Sequence, residues 1–128
     1  MVISPARFEA HMAALKEHGW NSVTIRQLIE FGEQGTPLPD HPVLITFDDG
    51  YYSNYEYAYP VLSELGMKAV IFTVGTSFGK TTYLDTDAPI TPHFGEKEAK
   101  EMTNSGVISL QSHTYDMHRS ENYEKNAR

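Results

Sequence analysis

The sequence predicts an α/β fold in which parallel strands follow two leading helices. Two observations carry this. Val43-Leu44-Ile45-Thr46-Phe47 is a short, continuous β-forming run, apolar on both faces as a buried parallel strand is. From Val43 onward the order reads strand, helix, strand, helix, strand. Right-handed crossovers then lay the strands parallel, with their C-terminal ends on one face.

The elements follow in order. Ser4 before Pro5 is a helix-entry signal, Phe8, Met12 and Leu15 recur at helical spacing, and Gly19 stands where a terminating glycine belongs. Thr24 and Gln27 form a capping-box pattern that opens a second helix, with Ile25, Leu28 and Ile29 as its apolar face. This helix is expected to dissolve over Phe31-Gly32-Glu33-Gln34-Gly35, and the prolines between Thr36 and Pro42 predict a loop. The first strand runs into Asp48-Asp49-Gly50. Ser53 and Glu56 offer another capping box, opening a helix to about Leu65 that Pro60 kinks or restarts, with Gly66 as its stop. Lys68 to Val74 is the second strand. Gly75 to Phe94 lacks periodicity and predicts a long loop, a length more often functional than idle. Glu96 to Ser105 is a third helix, ended by Gly106, and Val107 to Ser112 a third strand that delivers His113. Beyond His118 the chain reads as polar, with no fourth strand.

Composition narrows the partners. The 128 residues suit one domain, whereas a whole α/β barrel needs roughly 200 or more. Ten Lys plus Arg against seventeen Asp plus Glu give a net charge of −7, which disfavours nucleic acid and anionic membrane. The absence of cysteine excludes disulfides and thiolate metal sites. No apolar run approaches the roughly 20 residues of a membrane span, so no transmembrane segment is expected. Met1-Val2-Ile3-Ser4-Pro5 is not a signal peptide, so either the chain acts inside the cell or a leader has been removed.

Chemistry gathers at the strand ends. Asp48 and Asp49 follow the first strand, and His113 and His118 follow the third. Parallel α/β folds seat ligands at such C-terminal ends. One aspartate with two histidines is a sensible ligand set for zinc or another borderline divalent ion, with positions left for water and substrate. The other carboxylate need not bind the ion and can take a proton from the attacking water. Taken alone, Asp-Asp-Gly reads first as a strand-to-turn junction, and it is the histidines at the end of another strand that favour a metal site. Asp116 is expected to cap or solvate its loop. Tyr51 and Tyr52 can stack on a sugar ring or simply pack. His11 and His18 belong to a helix boundary, and His41 and His93 lie in loops without identifiable partners.

Thr46-Phe47-Asp48-Asp49-Gly50 resembles the first motif of the polysaccharide deacetylases, the NodB-like domain of carbohydrate esterase family 4. Ser112-His113-Thr114-Tyr115-Asp116-Met117-His118 resembles the second. Four residues separate the histidines, where most members have three, a spacing similar to that of poly-N-acetylglucosamine deacetylases. Leu38-Pro39 and Tyr57-Ala58-Tyr59-Pro60-Val61-Leu62 are similar as well. The resemblance implies a partial NodB-like β/α barrel: one incomplete domain over residues 1–128, with a helical lead-in over 1–42 and a βαβαβ core over 43–118. It implies Asp48 as general base, Asp49, His113 and His118 as ligands of one divalent metal ion, and Thr114 as a support to a ligand or its turn. Zinc is the first choice of ion, with cobalt, nickel or iron as others. Tyr51 and Tyr52 are weaker candidates for substrate contact. The implied reaction is hydrolysis of N-acetyl groups from an N-acetylglucosamine-containing polysaccharide, in the cell envelope or outside the cell, with a cytoplasmic place left open by the chain's start.

Later family motifs, including the histidine that acts as general acid, have no counterpart in these residues. Impaired activity is therefore expected, as is a homo-oligomer that covers the exposed sheet edge. The alternative is a catalytically inactive metal- or glycan-binding remnant of the same fold. A dehalogenase-like phosphatase fits less well, because it needs Asp-x-Asp and gives the histidines no role.

Overall fold

The computed structural model describes residues 3–117. Helix α1 (Pro5–Glu17) starts as its sequence dictates: the Ser4 hydroxyl accepts the Arg7 N–H at 3.4 Å, and Phe8 and Met12 are buried. Helix α2 (Ile25–Gln34) opens with the full Thr24/Gln27 capping box. It continues through Gln34 rather than dissolving at Phe31, and stops at a left-handed Gly35. Its apolar face is thinner than the pattern suggests. Ile25 and Leu28 are half-buried, Ile29 is 51% exposed, and no α2 residue is fully buried.

The run beginning at Val43 is split between two sheets. Strand β1 (Asn21–Ser22) pairs in parallel with β2 (Pro42–Val43), and the chain re-forms as β3 (Thr46–Asp49) beside β4 (Ala69–Val74). Ile45 bridges the two by accepting the Val70 N–H at 3.0 Å. The main sheet has the order β3-β4-β5, all parallel, with β5 spanning Ile108–Thr114. The strand-helix-strand-helix-strand reading therefore holds.

Sheet register explains which residues meet solvent and which meet helices. Phe47, Ile71 and Leu110 form one row across the three strands, with Ile71 wholly buried and the other two packed against the same core. This row faces the layer of helices, where Phe47 meets Phe8 at 5.6 Å between ring centroids. The next row, Asp48, Phe72 and Gln111, projects from the opposite face by strand alternation. Only the central strand is buried on both faces; β3 alternates exposed and half-buried residues.

Between β3 and β4 the expected Ser53 cap does not form. Ser53 is already helical, at φ −59° and ψ −24°, whereas a capping residue needs extended backbone. A π-helical turn (Asn54–Ala58) leads instead into α3 (Tyr59–Leu65). Pro60 sits in the first turn of α3, directly after the π-helical turn, so the break expected at this proline is a change of helix type within one continuous helical stretch. Leu62 of α3 is wholly buried against the sheet core. The long loop after β4 contains a short 3₁₀ turn (Gly75–Ser77) and leads into α4 (Glu96–Asn104).

Candidate metal centre

Local backbone irregularities place both of the described metal-ligand candidates. At the end of β3 the Gly50 N–H donates back to the Asp48 carbonyl at 2.9 Å, and Asp49 between them has φ 71°. This is a γ-turn of the rare positive-φ kind. Asp48 and Asp49 keep regular register with Phe72 and Thr73, and of the two only Asp49 lines the cleft beyond the strand ends. Stored backbone strain of this sort is maintained only where the surroundings hold it. On β5, Ser112 pairs with Thr73 and Thr114 with Val74, which leaves His113 as the extra residue of a bulge. Bulges re-aim side chains beside functional sites. The third strand thus extends two residues beyond the expected Ser112, with His113 inside it.

These two devices bring Asp49 Oδ1 to 3.7 Å from His113 Nε2, across the central strand. Carboxylate oxygen and imidazole nitrogen are ordinary zinc donors, each bound at about 2.0–2.2 Å, so two of them around one tetrahedral ion stand roughly 3.4 Å apart. The donor types and the gap fit a divalent cation. Among the described residues no group of three or more potential ligands is found, and His118, the third ligand the sequence suggests, lies outside the described residues.

The other expected residues divide. Asp48 is exposed at the end of β3. The Thr114 hydroxyl accepts the Met117 N–H at 3.2 Å, so it secures the turn that follows β5. Tyr51 lines a cleft of about 320 Å³ together with Asp49, and its hydroxyl hydrogen-bonds the Asp49 carboxylate. Burial first, then that bond and the carboxylate's charge, raise the Tyr51 phenol above its ordinary 10.0. Tyr52 takes no part in the cleft lining and packs its ring against Tyr55 at 5.7 Å.

Other cleft residues have no sequence signal beyond the length of the loop that carries them. His93 is half-buried in the wall, its ring 4.9 Å from that of Tyr51, and the two residues form an isolated antiparallel bridge. Burial lowers its pKa below 6.5, against the raising effects of the Thr91 backbone and the Asp49 charge. Tyr83 lines the cleft with a buried hydroxyl that has no hydrogen-bond partner among the described residues. Asp116, expected to cap or solvate its loop, lines the cleft too and accepts the Thr76 hydroxyl at 3.5 Å, joining the long loop to the end of β5.

A carboxylate and an imidazole thus converge at the C-terminal end of a sheet of parallel strands, where α/β folds seat their ligands. Comparison with known proteins gives the family. The family model described as polysaccharide deacetylase matches residues 35–127, and the chain belongs to that family. YxkH of Bacillus subtilis (strain 168), a protein named for the same family, is 42% identical over 109 residues, covering 85% of this chain and 35% of that protein. The poly-beta-1,6-N-acetyl-D-glucosamine N-deacetylase of Escherichia coli (strain K12) is 31% identical, covering 92% of this chain and 18% of that protein. The chain thus spans about a fifth to a third of the length of these two relatives. Among solved structures, the de-N-acetylase of Aggregatibacter actinomycetemcomitans superposes with a TM-score of 0.80 at 29% identity, over 91% of this chain and 47% of that one. IcaB of Ammonifex degensii gives 0.77 at 29% identity, over 91% and 48%.

Proposed function

We propose that this chain carries the general base and the metal ligands of an enzyme that removes N-acetyl groups from an N-acetylglucosamine-containing polysaccharide, on part of a NodB-like β/α barrel. The observation that supports it most is the approach of Asp49 and His113 to 3.7 Å from the two outer strands of the sheet. His118 is the third ligand in this reading, and the ion is zinc, with cobalt, nickel or iron as substitutes. A bound divalent cation supplies Lewis-acid polarisation of the acetamide carbonyl and lowers the pKa of a water to about 7. Asp49 and His113 hold and orient that ion. Asp48 takes the proton of the attacking water on its carboxylate. The polymer is suggested by the names of the relatives and by the four-residue gap between His113 and His118.

The departing amine also needs a proton. No donor for it is identified among these residues, and such acid catalysis is worth about 10²–10⁴-fold. A polypeptide of these 128 residues alone therefore turns over slowly. Its β5 edge, unpaired on one side among the described residues, is covered by a second copy or by exchanged elements, and strictly monomeric light scattering would count against this. The place of action is the cell envelope or the extracellular space. No described helix is long and apolar enough to cross a membrane.

The test is acetate release from poly-N-acetylglucosamine or chitooligosaccharide with added Zn²⁺ or Co²⁺. Release that disappears in Asp48→Asn supports the enzyme. Metal binding without any release supports an inactive remnant.

A further inference from the structure

The end of the long loop is built into the turn that carries Asp49. The Tyr52 N–H donates to the Pro92 carbonyl at 2.8 Å, and the Phe94 N–H donates to the Gly50 carbonyl at 3.2 Å. On the other side of the same segment, the His93 N–H reaches the Lys80 carbonyl at 3.0 Å, and the Gly79 N–H reaches the Phe94 carbonyl at 2.9 Å. Phe94 anchors the segment in the core with no exposed surface, its ring edge-on to Phe78 at 5.8 Å. Residues 92–94 therefore form a strap across residues 50–52 that cannot shift without disturbing the core.

The strap bears on one side chain in particular. His93 lays its ring against Tyr51, and Tyr51 hydrogen-bonds the Asp49 carboxylate, one oxygen of which stands 3.7 Å from His113. A carboxylate's terminal torsion is broad and twofold, so nothing intrinsic to aspartate selects which way its oxygens face. A donor held from outside does. We propose that Tyr51 is a positioning residue for Asp49: its hydroxyl fixes the carboxylate so that Oδ1 faces His113, and the His93 ring fixes Tyr51 in turn. This rests on the metal-site reading above and adds to it the residues that pre-set the site. Aromatic packing alone would need the two rings and would be indifferent to the phenol oxygen.

The test compares zinc affinity, measured by competition with a chromophoric chelator, and the visible absorption of the Co²⁺ complex, in the wild-type chain, Tyr51→Phe, His93→Ala and His93→Phe. Groups that orient metal ligands are worth about 10–100-fold in metal affinity. Tyr51→Phe is expected to lose that much and to alter the cobalt spectrum while circular dichroism stays unchanged. His93→Ala should weaken binding in the same direction, and His93→Phe, which keeps a ring against Tyr51, should restore most of it. Wild-type affinity and spectrum in Tyr51→Phe overturn the proposal and leave the metal site standing. If Tyr51→Phe does not fold, equal affinity of His93→Ala and wild type overturns it. A wild-type chain that binds neither ion overturns the metal-site reading and this proposal with it.

Discussion

Replacing Gly50 with alanine probes how firmly the turn after β3 is held. Gly50 has φ 82°, and a left-handed backbone costs a residue with a Cβ about 1–2 kcal/mol. A Cβ built there would stand 3.1 Å from Thr73 Cγ2 and 3.5 Å from Phe94 Cε1. Neither neighbour yields easily. Thr73 lies on the central strand with its hydroxyl directed at the Gln111 carbonyl, and Phe94 is wholly buried. Overpacking of this kind adds about 1–3 kcal/mol, giving a total of about 2–5 kcal/mol. That is a large share of the ~5–15 kcal/mol that holds a typical domain together. Gly106 provides the control: its φ is 74°, and nothing lies within 4 Å of its would-be Cβ. Gly106→Ala carries only the backbone cost. At this chain length each kcal/mol moves the melting temperature by roughly 3–5 °C. Thermal unfolding followed by circular dichroism should therefore place Gly50→Ala roughly 10 °C below wild type and Gly106→Ala roughly 5 °C below. Gly50→Ala melting together with Gly106→Ala, or above it, would refute the packing argument.

Other consequences are open to direct measurement. Asp48→Asn should cut acetate release by about 10²–10⁴-fold while zinc affinity stays near wild type; a matching fall in affinity would make Asp48 a ligand instead of a base. His93 has its pKa lowered by burial, so the folded state takes up this proton less readily than the unfolded state. Its contribution to stability is full above about pH 6.5 and is lost as pH falls through the folded-state value. Urea midpoints measured from pH 7.5 to 5 should accordingly fall less in His93→Phe than in wild type, and equal slopes would contradict this. Thr24→Ala removes the acceptor for the Gln27 N–H and half of a reciprocal cap. It should cost about 1 kcal/mol in chemical denaturation, and no measurable loss would show that α2 is held by packing alone.

Legibility in the sequence followed the range of the interactions. The α1 cap and the α2 capping box lie within a few residues of themselves and were readable from Ser4-Pro5 and Thr24/Gln27. The parallel strand order was readable because hydrophobic runs and glycine stops alternate. Ser53 misled because its capping pattern says nothing about backbone conformation, and the chain is already helical there. The split at Val43 was hidden because β2 takes its partner from Asn21-Ser22, residues with no β-forming character of their own. Asp49 and His113, the two expected residues that the structure brings to 3.7 Å, were readable by residue type and position. The γ-turn and the bulge that aim them were not: the turn needs a positive φ at Asp49 that aspartate does not announce, and the bulge depends on register with β4. His93 escaped notice for a similar reason. Its neighbour Tyr51 precedes it by 93 − 51 = 42 positions, and only the folded loop makes them adjacent.

The placement of Asp49 and His113 on opposite borders of the sheet has a mechanical consequence. On the metal-binding reading proposed above, an ion seated between them would act as a rivet, fastening positions 113 − 49 = 64 apart across the central strand. At a hundredfold excess over its dissociation constant, such a rivet strengthens the native state by about 2.7 kcal/mol. Chelation should release β5 first, so amide exchange along Ile108–Thr114 would accelerate ahead of that in Ala69–Val74, and occupancy could be followed without any substrate.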